Sequence, residues 1–207
     1  MSKRVVVTGG NKGIGLAVSR AMLEFGYEVI MVARDFDTCP LVGVANVTAI
    51  EYDLSDVDGL PALVKEIGEI DILINNAGYM QPKYTYDNYP KEARDHIMNV
   101  DLYTPIELMN LFSVGMKKRK YGRIVNTASI AGQIGHPDVW YGMAKAALIN
   151  ATKIYGKMLG AYGITVNCVA PSPTETDMQK DNSEERKNEF KKTVTTGRFA
   201  SAEEVAK

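Results

Sequence analysis

The strongest constraint on this chain lies near its N-terminus. An apolar run, Val5-Val6-Val7, leads into Thr8-Gly9-Gly10-Asn11-Lys12-Gly13-Ile14-Gly15 and then into a helical stripe of Ile14, Ala17, Val18, Ala21, Met22 and Phe25. Gly26 follows that stripe as a C-cap. Strand, glycine turn and helix in this order form a cradle for a dinucleotide. Gly9, Gly13 and Gly15 permit a tight turn, backbone approach to a pyrophosphate and close helix packing, while the helix N-terminus offers amide donors to the anion. The same glycines without a strand before them and a helix after them would carry no such implication.

The remainder of the chain repeats the alternation. Strand-forming runs occur at Val29 to Val32, Val47 to Tyr52, Ile70 to Ile74, Arg123 to Thr127 and Ile164 to Val169. They are runs more than polar–apolar alternations, as expected for strands buried on both faces. The fold class is therefore α/β: a Rossmann-type doubly wound parallel sheet with helices on both faces. With 207 residues, 45% of them hydrophobic, the chain suits one dinucleotide-binding catalytic domain over residues 1–207. A second stripe, Trp140, Ala144, Ala147, Leu148, Ala151, Ile154 and Met158, is entered through Pro137-Asp138 as an N-cap. Between the two stripes, a long helical segment from about Pro90 to Lys120 contains Pro105, which predicts a kink there. The basic run Lys117-Lys118-Arg119-Lys120 closes that segment and complements the helix dipole.

Composition excludes some roles. The formal net charge of -1 gives no electrostatic case for nucleic acid or an anionic membrane. No apolar run approaches the ~20 residues needed to span a bilayer, and no signal-peptide core precedes the first strand, so the expected location is cytoplasmic. Cys39, in a loop, and Cys168, in a predicted strand, lack metal-ligand spacing and are expected to be free thiols. No metal site is expected.

At Tyr141-Gly142-Met143-Ala144-Lys145 a phenol and an ammonium stand on the same face of the second helical stripe, one turn apart. A phenol with a pKa of about 10 is a poor acid at neutral pH unless something favours its anion, and a neighbouring ammonium does so. The motif alone describes many amphipathic helices. Its meaning comes from the glycine turn, Asn75-Asn76-Ala77-Gly78, Asn99 and Ser129 upstream of it.

Together, Thr-Gly-x-x-x-Gly-x-Gly, Asp53-Leu54 after the third strand, Asn75 to Gly78 after the fourth and Tyr141-x-x-x-Lys145 resemble the classical short-chain dehydrogenase/reductases. The cofactor half is similar to carbonyl reductases in its Asn-Lys-Gly-Ile-Gly turn and its Ala33-Arg34-Asp35 sequence. From Asn126 onward, through Pro171 to Met178 and Gly197-Arg198-Phe199, it resembles the bacterial 3-oxoacyl-carrier-protein reductases. The resemblance implies a catalytic tetrad of Asn99, Ser129, Tyr141 and Lys145. In it, Tyr141 gives the proton, Ser129 holds the substrate oxygen, Lys145 favours the phenolate and binds ribose hydroxyls, and Asn99 sits at a kink and helps hold a relay water. It further implies cofactor contacts at Asn11, Lys12 and Ile14 in the turn, at Asp53 (adenine) and Leu54, at Asn76, Ala77 and Gly78 (ribose), and at Pro171, Ser172, Thr174 and Thr176. Asn75 is expected to bridge strands. His96 and His136, with no recognisable triad, are expected to be surface or loop residues.

The implied activity is NADPH-dependent reduction of a ketone or aldehyde. Lys12 and Arg34 bring positive charge to the adenosine end, where a 2′-phosphate would need it; Asp35 supports the opposite reading, an NAD-dependent secondary-alcohol or polyol dehydrogenase. A non-catalytic NADP(H)-sensing protein is the reading from another class, and the intact tetrad counts against it. The two long helices resemble those that pair in dimers and tetramers of the family.

Three departures stand out. Pro171-Ser172 replaces the family's Pro-Gly, which cofactor binding should survive if φ at Ser172 is negative. Residues 34 to 47 carry Pro40 and other breakers, so the crossover helix there is expected to be shortened or lost. The family's closing strand is missing after Ala202 to Ala206. Residues 175 to 192, densely charged with few apolar anchors, match the position of the family's substrate-covering lid and are expected to be mobile.

Overall fold

The computed structural model describes residues 2–81, 84–179 and 183–207, without the side chain of Arg186. Six parallel strands, β1 (Arg4–Thr8), β2 (Glu28–Ala33), β3 (Val47–Glu51), β4 (Ile72–Asn75), β5 (Gly122–Thr127) and β6 (Ile164–Val169), form one sheet in the order β3-β2-β1-β4-β5-β6. The chain steps outward from β1 to β3, then returns to the far side of β1 to begin β4. The direction of winding thus reverses between β1 and β4, the crevice in which such sheets bind ligands at the carboxyl ends of their strands.

Alternate residues of each strand point to opposite faces. Val6, Ile30, Leu73 and Ile124 pack with helices α2 (Leu60–Ile67) and α4 (Thr104–Arg119) and the end of α5 (Val139–Leu159). Val5, Val7, Val29, Met31 and Ile74 pack on the other face with α1 (Gly13–Glu24) and with Ala206 of α7 (Ala202–Ala206). Between β2 and β3 no described residue is helical; the turns of residues 37–45 bury Cys39 and Leu41, with Phe36 just before them, against that second face. The crossover helix is lost, as Pro40 and its neighbouring breakers suggest. Cys39 and Cys168 are free.

Two expectations are corrected. Helix α3 (Lys91–Met98) leads not to a kink at Pro105 but to a π turn at Asn99–Tyr103, and Pro105 stands in the first turn of α4, where its missing N–H is harmless. The apolar stripes run past the core at their ends: Phe25 is 71% exposed, and Ile154 and Met158 also face solvent. Leu159, fully inside the core, takes over the packing there. The charged stretch from residue 175 holds a short 3-10 turn at Asp177–Gln179 and then α6 (Glu184–Thr193); residues 180–182 of the expected lid lie outside the described residues.

Candidate active site

The loops after β1 and β4 are joined side by side. The Thr8 hydroxyl accepts the amides of Asn76 (2.9 Å) and Ala77 (3.0 Å), and the Asn76 side-chain amide donates back to the Thr8 carbonyl at 3.1 Å. Gly15 makes this closeness possible: a Cβ there would fall 2.0 Å from the Gly9 carbonyl oxygen. On the other wall, the Asn75 side chain donates to Asn126 Oδ1 at 2.9 Å, bridging β4 and β5 as expected.

A cavity of about 550 Å³ runs from Gly9, Asn11, Lys12, Gly13 and Ile14 past Asn76, Ala77 and Gly78 to Ser129, Tyr141 and Lys145, and is closed by Pro171, Ser172, Thr174 and Thr176. A smaller one of about 100 Å³ adjoins it through Lys12 and Gly78 and is lined by Arg34, Asp35, Asp53, Leu54 and His96. The structure thus gathers the expected cofactor contacts along one connected groove except Gly15, which lines neither cavity and is buried against the backbone of the turn. Asn11 also fastens its wall, donating to the Asp35 carbonyl at 2.9 Å. Ser172 has no positive φ, so its side chain imposes no backbone strain. Of the two histidines, His96 lines the smaller cavity and His136 the larger, with its ring 5.5 Å from that of Tyr141.

Local structure sets the reacting side chains. Ser129 caps a 3-10 turn (Ile130–Gly132), its Oγ accepting the Ala131 amide at 3.1 Å, and the Ile130 amide holds the Pro171 carbonyl at 3.1 Å. Asp138 caps α5 by accepting the Tyr141 amide at 3.1 Å. The same carboxylate accepts the Gln81 amide and the Tyr89 hydroxyl, so it anchors the loop after β4 as well. Burial of the Tyr89 phenol and the Asp138 charge beside it push that phenol above its ordinary range.

Tyr141 and Lys145 are both buried, with Lys145 Nζ 5.6 Å from the Tyr141 ring centre. Burial raises the Tyr141 phenol above its ordinary range; the Lys145 ammonium and a hydrogen bond from Ser129 pull the other way, and Asp101 and Asp138 add to the rise. Lys145 loses hydration, yet the Asp101 carboxylate and, after it, Tyr141 together more than offset this and hold the ammonium above its ordinary range. Nζ donates to the Thr127 carbonyl at 3.0 Å and stands 2.9 Å from Asp101 Oδ1, off the hydrogen-bonding direction, so the contact is an ion pair first.

Asn99 does not join this group. Its side-chain amide donates to the Ser55 carbonyl at 2.9 Å, tying the π turn to the loop after β3. Asp101, two residues on, is the group from this turn that reaches Lys145, because the wider turn presents it inward between buried Val100 and Leu102. Sequence reading missed Asp101 and the wider role of Asp138. The signal for Asp101 was a carboxylate embedded in Val100-Asp101-Leu102 with no basic neighbour in sequence. Among the described residues no cluster could hold a metal ion, and no helix is long and apolar enough to cross a membrane.

Comparison with known proteins agrees with this geometry. A family model described as short chain dehydrogenase matches residues 3–187. The 3-oxoacyl-[acyl-carrier-protein] reductase of Vibrio harveyi is 34% identical over 217 residues, covering 99% of this chain and 86% of that protein. The acetoacetyl-CoA reductase of Shinella zoogloeoides is 32% identical over 224 residues, covering 100% of this chain and 89% of that one. The solved structure of ElxO with NADP bound superposes with a TM-score of 0.88 at 28% identity, covering 100% of this chain and 89% of its own.

Proposed function

We infer, from the premise that this chain belongs to the short-chain dehydrogenase/reductase family and is an NAD(P)-dependent oxidoreductase, that it reduces a ketone or aldehyde to an alcohol with NADPH. The observation that carries this reading is the meeting of Ser129, Tyr141 and Lys145 at the inner end of the groove that starts at the glycine turn. The groove fits a dinucleotide: a Cβ at Gly15 would collide with the backbone of the turn, and one at Gly78 would stand 3.1 Å from Asp101 Oδ1. Lys12 and Arg34 flank its outer end, and two relatives reduce 3-oxoacyl or acetoacetyl thioesters by name while ElxO holds NADP, all of which favours NADPH and a carbonyl substrate.

The bound cofactor would supply the hydride. Glycine-turn amides and the α1 N-terminus would hold its pyrophosphate, Asn76 to Gly78 and Lys145 its ribose, and Asp53 its adenine. Ser129 would hold the carbonyl oxygen by hydrogen bond, and Tyr141 would pass its proton to that oxygen. Met80, Ile134, Met178, Phe190 and Val194 line the substrate end, which suits a substrate with an apolar arm. The two longest helices expose the apolar side chains of Val114, Ile154 and Met158, which supports self-association and which light scattering would test.

A second reading rests on Asp35, which lines the same outer end as Arg34 and could bind the ribose hydroxyls of NAD for alcohol oxidation. Following cofactor absorbance across a panel of ketones, aldehydes, quinones, 3-oxoacyl thioesters and polyols decides between them. NADPH oxidation by a carbonyl is the expected result. Turnover only with NAD and an alcohol would overturn the first reading, and cofactor binding without any turnover would leave a sensor.

A further inference from the structure

Lys145 does not stand alone behind Tyr141. Asp101 has no solvent exposure and Lys145 has 2%, and their charged atoms are 2.9 Å apart. Among the described residues the carboxylate pairs with no other cation: Oδ2 accepts the Tyr79 amide at 2.9 Å, and Oδ1 stands beside the ammonium without a hydrogen-bond partner. The pair lies against the cavity wall, since a Cβ on Gly78 would come 3.1 Å from Oδ1 and 3.5 Å from Nζ.

Resting on Tyr141 as the proton donor, we infer that Asp101 is the resident counter-anion of Lys145, a positioning residue that offsets the pull of the ammonium on the phenol and keeps Tyr141 in its proton-donating form. An unopposed ammonium beside a buried phenol favours the phenolate, the form that takes a proton from an alcohol. With a carboxylate against it the site gains no net positive charge, and the phenol keeps its proton to higher pH. The site is therefore set for reduction: hydride goes to the carbonyl carbon, the Tyr141 proton to its oxygen, and the phenolate is left to be reprotonated from solvent.

The groups that face Tyr141 are Lys145 on its own helix, Asp101 from the π turn, Asp138 at the helix cap, His136 in the loop before it and Ser129 from the 3-10 turn. Only the Asp101 charge changes in the following test. Asp101→Asn keeps the shape and an acceptor for the Tyr79 amide but removes the counter-charge, so the phenolate should appear at a pH lower by about one unit or more.

The chain has 11 tyrosines, so the measurement is the tyrosinate absorbance of each protein minus that of its Tyr141→Phe counterpart, titrated without cofactor or substrate. In turnover, the alkaline fall of carbonyl reduction and the rising limb of alcohol oxidation should both move down by the same amount. Asp101→Ser, which leaves room for water beside Lys145, gives the same comparison if the amide variant does not fold. A phenolate at the wild-type pH or higher overturns the inference, including the case in which Lys145 gives up its proton first. The titration needs no substrate, so it is separate from the function assigned above: an enzyme that reduces carbonyls but shows no shift would sink the inference alone.

Discussion

Gly15 and the carbonyl of Gly9 are so close that a single methyl on Gly15 would sit 2.0 Å from that oxygen. The obstacle is backbone, which cannot turn aside as a side chain can. Gly15→Ala should therefore cost more than the ~1–3 kcal/mol usual for an overpacked core, and it should remove NADPH binding as the turn opens. Urea unfolding and NADPH fluorescence check both parts; a variant as stable and as tightly binding as the wild type would mean that the turn is free to widen.

Tyr141→Phe keeps the ring in its buried place and removes the proton. Carbonyl reduction should fall by about 10²- to 10⁴-fold, the usual worth of general acid catalysis, with NADPH affinity nearly unchanged. Steady-state kinetics beside a binding titration separate the two effects. Near-wild-type kcat in a folded variant would assign the proton to another donor, of which His136 is the nearest ring.

Arg34 and Lys12 line the outer cavity together with Asp35, so the charge balance there is open to test. Arg34→Ala should raise KM for NADPH far more than for NADH, by roughly tenfold to a hundredfold for a lost charge-assisted contact of about 1.5 to 3 kcal/mol. Lys12→Ala should act in the same direction. Comparing kcat/KM for both cofactors is the measurement, and equal losses would show that Asp35 reads the ribose instead.

The tail of the chain carries its own pH dependence. Two Arg198 nitrogens bind Glu204 at 2.7 Å each and the Ser201 amide adds a third bond, which together hold the Glu204 carboxyl down at about 2. A carboxyl depressed on folding contributes stability that is present above its unfolded value of 4.5 and is lost as pH falls through about 2. The melting temperatures of wild type and Glu204→Gln should differ at about pH 6, converge below 4.5, and coincide near 2. The pair is exposed, so the difference will be modest and will shrink in salt.

Much of this arrangement was legible from residue order. Each strand run became a strand within two residues at either end, because the runs are rich in β-branched residues and bounded by turn formers; β3, at the edge of the sheet, forms although none of its residues is buried. Gly9, Asn11 to Ile14, Asn76 to Gly78, Ser129, Tyr141 and Lys145 met in one groove because strand ends in a parallel sheet deliver their loops to the same edge. What periodicity could not supply was the phase of the helix through residues 99–103. The family resemblance assigns Asn99 to the site, at a kink whose form the residues do not specify, whereas the wider turn sends Asn99 to Ser55 and Asp101 to Lys145. Phe25, Ile154 and Met158 were misread for a different reason: a stripe says which face is apolar but not where the neighbour beneath it ends.

That wider turn behaves as a one-residue insertion in what would otherwise be a single helix from Lys91 to Arg119. Removing one residue from it would turn the two halves by about 100° relative to each other. A chain shortened in this way that kept Phe112 and Met116 in the core would have to swing Ile97 out of it and carry the carboxylate of Asp101 away from Lys145. Chain length between Met98 and Thr104 is thus as much a part of the site as the identity of any residue within it.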